Sequence, residues 1–385
     1  MSSRSVRLFL NGLLASLSCC SVAFAQGQDI LIGQVSSQTH PVTAANAKGL
    51  YAGINVYFDH TNARGGVGGR KIKLLNKDDQ LVPGKMTELT KEFIANKEVL
   101  ALTGYQNTAG IAELAKLNIA GEAGIAMIAP LQGDKYIVSA PNFFPFRSGY
   151  SSEVTTLIKE AVFTQKKRVV VVYQTFTFGP AMKEHAQEVS KQLGLKVASY
   201  VKVDPTTPDK IEAAIKETSQ ATIKEEPDAV LVLVGGRYAY EFVKQMKNST
   251  LARAQLYLMS IVPADDVIKS AGAEKTRGVV IAQSVPYPFS VKLPVAGEYQ
   301  KLMKQYAPNE PLSFSSLEGF IAGKITVEAL KRAGPVPTRA SVLRALNSMG
   351  ELDLGGVYVN YSAKGRAGWN QIDLTIIGEG GKLLR

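Results

Sequence analysis

Ile54–Asp79 reads INVYFDHTNARGGVGGRKIKLLNKDD. Leu50, Ile54, Tyr57 and Phe58 recur at helical spacing, so the chain enters this stretch as an amphipathic helix. Gly65-Gly66 and Gly68-Gly69 then stop it, because a glycine just past the last periodic residue takes the left-handed cap without a Cβ penalty. Lys71–Lys77 restarts as a strand. A dinucleotide-binding or P-loop motif follows a strand and opens a helix; here the order is reversed, which favours a tight helix-to-strand turn over a phosphate cradle.

Outward from this turn the same alternation continues. Asp29–Val35 reads as a buried strand, with a loop to Val42 and Thr43 capping the helix that runs through Asn62. Helix Pro83–Asn96, strand Val99–Thr103, helix Thr108–Ala120 and strand Ile125–Ala129 follow. The rhythm pauses at Pro141–Ser148 and resumes with helix Ser151–Thr164 and strand Arg168–Tyr173. It continues through strands Lys196–Val203, Ala229–Val234, Gln255–Met259 and Gly278–Ala282, with helices between them. Pro286, Pro288 and Pro294 mark a second break before helices Val295–Tyr306, Ser316–Ala333 and Thr338–Asn347. Strand and helix alternating without hairpin signals predict α/β architecture with parallel sheets covered on both faces.

The totals agree with two globular lobes. The chain has 385 residues, 45% hydrophobic and 20% charged, long for one domain and too apolar for disorder. Ser2–Ala25 reads as a signal peptide: Arg4 and Arg7, an apolar centre Leu8–Leu17, and Ala23-Phe24-Ala25 ahead of a mature start at Gln26. A lipid-attachment reading of Cys19 or Cys20 competes with it. Both cysteines leave with the leader, which removes disulfides and thiol chemistry from the mature chain. Loss of Arg4 and Arg7 lowers the formal net charge from +11 to +9. The excess is scattered, with Lys166-Lys167-Arg168 its tightest run, so no basic stripe argues for nucleic acid. No later apolar run approaches the roughly 18 residues of a membrane span.

The string Ile54, Asn62, Gly65, Gly66, Val67, Gly69, Arg70, Lys71, Ile72, Asp78, Asp79 and Pro83 resembles the signature of periplasmic solute-binding proteins of the branched-chain amino acid type. His60-Thr61 ahead of Asn62 departs from it in detail, and the resemblance runs from about Ile30 to about Gly378. It implies two Rossmann-like lobes joined by three crossovers, the type I periplasmic-binding fold. Residues 26–146 plus 284–355 would then form one lobe and 147–283 plus 356–385 the other, with crossovers near Arg147, Gln283 and Gly355. It further implies a small-molecule ligand held between the lobes, hinge closure, an ABC-type permease as partner and no cofactor. A periplasmic sensor reporting to a receptor is the alternative within the same fold.

An enzyme is the minority reading. His40, His60 and His185 are far apart, no G-x-S-x-G elbow or P-loop occurs, and Asp78-Asp79 lie at a strand end where solvation is the default. In open α/β sheets ligands settle beyond the carboxyl ends of strands. The turns there are Ser36–Thr43, Gly104–Thr108, Pro130–Asp134, Gln174–Gly179 and Gly235–Tyr238. The Tyr105-Gln106-Asn107-Thr108 turn offers a hydroxyl at a helix start, either an N-cap or a ligand contact; the resemblance places a carboxylate-binding hydroxyl at Thr108. Its next two contacts, one backbone and one threonine hydroxyl, fall on Leu131 and Gly133, where the hydroxyl is gone and backbone N–H groups would serve; it places an aromatic lid at Phe178 and a wall at Tyr238. Arg237 is a candidate carboxylate partner, against an exposed helix-start residue. The acid that receives an ammonium in the amino acid binders falls on Val262, Asp265 and Asp266 belonging to the next helix, and the first loop's aromatic falls on Val42. A buried ammonium without an anion costs several kcal/mol, so a monoanionic carboxylate with an apolar or aromatic body is the expected ligand.

Overall fold

The computed structural model describes residues 28–40, 43–175, 178–203, 210–362 and 365–385. The predicted leader with Cys19 and Cys20, and Val42, lie outside them. No helix among the described residues is long and apolar enough to cross a membrane.

The deciding turn closes as a helix stop. Helix Ala44–Asn62 ends with Gly66 N–H on Thr61 O (3.0 Å) and Gly65 N–H on Asn62 O (3.1 Å), with Gly65 at φ +96°, the paired bonds of a Schellman cap. Asn62 then ties helix to strand: its Nδ2 donates to Ile72 O (2.8 Å) and its Oδ1 accepts from Ile72 N–H (2.7 Å). Farther along, the single helix expected over Thr108–Ala120 is two, Thr108–Lys116 and Ile119–Glu122. Asn118 between them takes φ +50° and breaks the hydrogen-bond ladder.

The first sheet is all parallel, in the order Ile72–Asp78, Ile30–Ser36, Val99–Thr103, Ala126–Ile128 and Phe143–Phe144. The second runs Leu383–Leu384, Asp373–Ile377, Val280–Gln283, Gln255–Leu258, Ala229–Leu233, Val169–Gln174 and Val197–Val203. Its unbroken apolar run Val169–Val172 is fully buried, alternate residues feeding the cores on the two faces, as a sheet covered on both sides requires. Asp373–Ile377 is antiparallel to Val280–Gln283, because the chain returns from the other lobe without a covering helix to reverse it.

Helices Pro294–Tyr306, Phe314–Arg332 and Arg339–Asn347 pack into the first lobe's core. Helix Phe314–Arg332 crosses Ala44–Asn62 backbone against backbone. A Cβ on Gly53 would lie 1.9 Å from Ser316 O, and one on Gly319 would lie 2.1 Å from Leu50 O. Beyond these helices the expected boundary moves. The third crossover, expected near Gly355, comes after Ala367, because Gly350–Asp353, Tyr358–Ser362 and Gly365–Ala367 form an antiparallel meander. Val359 and Tyr361 of that meander belong to the first lobe's core, with Tyr361 Oη donating to Pro145 O at 2.9 Å. The crossover lies beside the first one: Trp369 N–H donates to Phe146 O (2.6 Å) and Ser148 Oγ to Trp369 O (2.7 Å).

Candidate functional site

The loop leaving strand Ile30–Ser36 is clamped by the two acids of the opening stretch. Asp78 accepts from Gln38 N–H (3.0 Å), Thr39 N–H (3.1 Å) and Thr39 Oγ1 (2.6 Å), bonds that hold its carboxyl below the usual range despite its desolvation. Asp79 is fully buried, where solvation was expected. It accepts from Ser37 Oγ, Leu81 N–H (3.1 Å) and Asn107 Nδ2 (2.7 Å), which joins the turns after two strands of the first sheet through one carboxylate. Asp79→Asn is expected to cost about 2 kcal/mol of folding stability, read by urea denaturation, since a charge-assisted acceptor becomes a neutral one with a donor facing Asn107.

The 104–108 turn distributes its side chains by role. Tyr105 is buried in the core, its hydroxyl 3.3 Å from Thr90 Oγ1. Gln106 Oε1 accepts from Ser37 N–H at 3.1 Å. Asn107, not Thr108, caps the helix, its Oδ1 accepting from Gly110 N–H at 3.3 Å. Thr108 is therefore released from capping, and its Oγ1 lies 3.1 Å from Tyr150 Oη of the other lobe. In the neighbouring turn Leu131 N–H donates to Tyr105 O (2.8 Å). Gly133 passes so close to the first crossover that a Cβ there would meet Arg147 O at 1.8 Å.

From the second lobe Phe178 packs on Tyr150, ring centroids 4.9 Å apart. Thr108 and Phe178 thus share a cleft of about 870 Å³ whose lining also includes Asp134, Lys135, Tyr136, Met182 and His185. Asp134 is turned to Ser151 (Oγ at 2.9 Å) and His185 Nε2 lies 2.8 Å from Thr155 Oγ1, leaving the Lys135 ammonium as the cleft's cationic group. Val262 lines a separate chamber of about 270 Å³, with Asp265 and Asp266 in the first turn of helix Ala264–Ala271, as the sequence predicts. Arg237 and Tyr238 are not brought to either. The Arg237 side chain is 38% exposed and 3.9 Å from Glu212, and Tyr238 is buried in the second lobe's core.

Sequence reasoning missed a cluster of buried charges between the lobes, outside the Thr108–Phe178 cleft. Arg147, Glu153 and Glu318 are each 5% exposed or less, and their separation along the chain gives no spacing signal. Arg147, on the first crossover, contacts Glu153 of the second lobe (3.1 Å) and Glu318 of the first (3.6 Å), and its Nη2 donates to Ser260 and Ser284. Glu153 also accepts from Ser260 N–H and Oγ, both at 2.8 Å. Burial raises both carboxyls against the pull of Arg147, Glu318 to about 7. The guanidinium stays charged, its two carboxylates outweighing its own burial.

This geometry of lobes, crossovers and cleft recurs in known proteins. A family model described as periplasmic binding protein matches residues 29–382. An amino acid binding protein of Pseudomonas aeruginosa is 23% identical over 288 residues, 72% of this chain and 73% of that protein. The crystal structure of a substrate-binding periplasmic protein from Ralstonia solanacearum superposes with a TM-score of 0.85 at 26% identity, covering 92% of this chain and 99% of that one. An extracellular ligand-binding receptor from Verminephrobacter eiseniae gives 0.84 at 26% identity, over 93% and 100% of the two chains. With its two lobes, three crossovers and interlobe cleft, the chain belongs to the periplasmic binding protein family and has the type I fold.

Proposed function

We propose that the protein is the solute-binding component of an ABC importer, exported through its N-terminal signal peptide, and that it captures a small carboxylate with an apolar or aromatic body. The observation that carries this reading is the cleft itself. It sets the Thr108 hydroxyl, which is not used as a helix cap and bonds Tyr150 Oη, and the Lys135 ammonium against the apolar faces of Phe178 and Met182, from opposite lobes. A ligand touching both lobes favours the closed state by that differential contact, and the closed form would be delivered to the permease. The roles of Leu131 and Gly133 in this reading are to shape the turn. Binding without turnover is the corresponding expectation for the bound compound.

The test is a thermal-shift screen of the refolded chain from Gln26, against aromatic acids such as 3-phenylpropionate, aliphatic acids, amino acids and amides. A binder of the folded state alone raises the melting temperature by mass action. Carboxylates are expected to shift it, and Thr108→Ala is expected to weaken their binding about tenfold, the value of a hydrogen bond to a charged group. Unchanged affinity in that variant would remove Thr108 as the anchor.

A further inference from the structure

Hydrogen bonds in the Arg147 cluster are unevenly shared. Glu153 accepts from Arg147 and twice from Ser260. Glu318 is 4% exposed, has Arg147 Nη1 as its ion-pair partner at 3.6 Å, and accepts no hydrogen bond among the described residues. Arg147 Nε is likewise buried without an acceptor. With both carboxyls ionised, two negative charges face one guanidinium out of water, an arrangement that favours either a proton or an added cation.

Glu318 borders a cavity of about 20 Å³ whose mixed lining sets Asn46, Arg147, Ser260 and Ser284 beside Leu131, Ile261 and Val285, room for one water-sized group. That cavity shares Asn46, Ser260, Gln283, Phe314 and Ser315 with the chamber of about 270 Å³. Much of the outer chamber is apolar, including Val262, Pro263, Phe289 and Leu312. Neither space shares a lining residue with the Thr108–Phe178 cleft. We infer that these two spaces form a second binding site, for a small organic cation whose ammonium head meets Glu318 and whose apolar body lies between Val262 and Phe289. An anionic head is disfavoured there, because it would add a further negative charge beside a guanidinium already shared by two carboxylates.

The charged groups facing Glu318 are Arg147 from the crossover and Glu153 from helix Tyr150–Phe163, while Lys48, Asp265, Asp266 and Glu310 line the outer chamber. Because burial lifts the Glu318 carboxyl to about 7, a cation entering below that pH displaces a proton. Cation affinity therefore rises as pH rises through this value.

The probe is phenethylammonium chloride, titrated calorimetrically into the chain from Gln26, with 3-phenylpropionate as the acid of the same body. Phenethylammonium is expected to bind about tenfold tighter near pH 8 than near pH 6. Glu318→Gln is expected to abolish that pH dependence, to weaken the cation at least tenfold or so near pH 8, and to leave 3-phenylpropionate unchanged. Phe289→Ala, at a side chain already 44% exposed, is expected to weaken the cation several-fold while keeping its pH dependence. No binding of phenethylammonium at about 10 mM, or equal binding in Glu318→Gln without pH dependence, would overturn the inference. Loss of Thr108-dependent 3-phenylpropionate binding alone would instead sink the carboxylate reading.

Discussion

Arg147→Met is expected to lower the folding stability by about 3–5 kcal/mol near pH 8, the cost of leaving buried charge without its partner. The arginine lies within 3.1 Å of Glu153 and 3.6 Å of Glu318, both nearly inaccessible to water. Methionine removes the attraction that opposes their desolvation, so both carboxyls rise further above their ordinary value of 4.5. A carboxyl raised in the folded state contributes stability that is complete below the unfolded value and lost as pH climbs through the folded one. The variant should therefore recover about half of its deficit near pH 5, where protonation relieves the unpaired charges. Urea unfolding at the two pH values measures this directly. A deficit that is the same at both would mean that packing around the guanidinium, not charge, accounts for its contribution.

Gly53→Leu is expected to cost about 3 kcal/mol or more, near the upper end of overpacking penalties. Its Cβ would stand 1.9 Å from Ser316 O and 2.6 Å from Phe320 N, atoms of a helix backbone that cannot rotate aside as a side chain can. Relief requires the two helices to part, and parting them loosens Leu50, Ile54, Leu317 and Phe320 of the first core together. Gly319→Leu, facing Leu50 O at 2.1 Å, should cost a similar amount. The double variant should cost less than the sum, because one separation relieves both clashes. Thermal melts of the three variants check the magnitudes; strict additivity would show that the helices do not move as bodies.

The fold was legible wherever a residue type has one physical use. Gly65 and Gly66 ended a helix because their positive φ excludes most other residues, and the apolar run Val169–Val172 announced a strand buried on both faces. The third crossover was not legible at its true place. Gly355 and Gly356 do turn the chain at φ +109° and +82°, but within the meander that Tyr361 anchors to the first lobe. Of the candidate site, Thr108 could be read as a helix-start hydroxyl, whereas its turning to Tyr150 of the other lobe depended on Asn107 taking the cap, a choice between adjacent residues that propensity does not decide. Arg237 read as well as any cleft arginine, yet its helix turns it toward Glu212 at the surface. Glu318 could not be found at all, since its partners Arg147 and Glu153 precede it by 171 and 165 residues, more than the whole length of the second lobe's insertion into the first.

The contact of helix Ala44–Asn62 with helix Phe314–Arg332 fixes when the protein can fold. The first helix emerges early in synthesis, but the groove that receives Gly53 belongs to residues made some 260 positions later. Strand Asp373–Ile377 and strand Leu383–Leu384 close the second sheet later still. Neither lobe is complete until almost the whole chain is available, and contacts so distant in sequence form slowly because loop closure precedes their reward. A chain of this kind stays unfolded longer than one built from consecutive domains, the condition in which a polypeptide can still be threaded through a membrane pore.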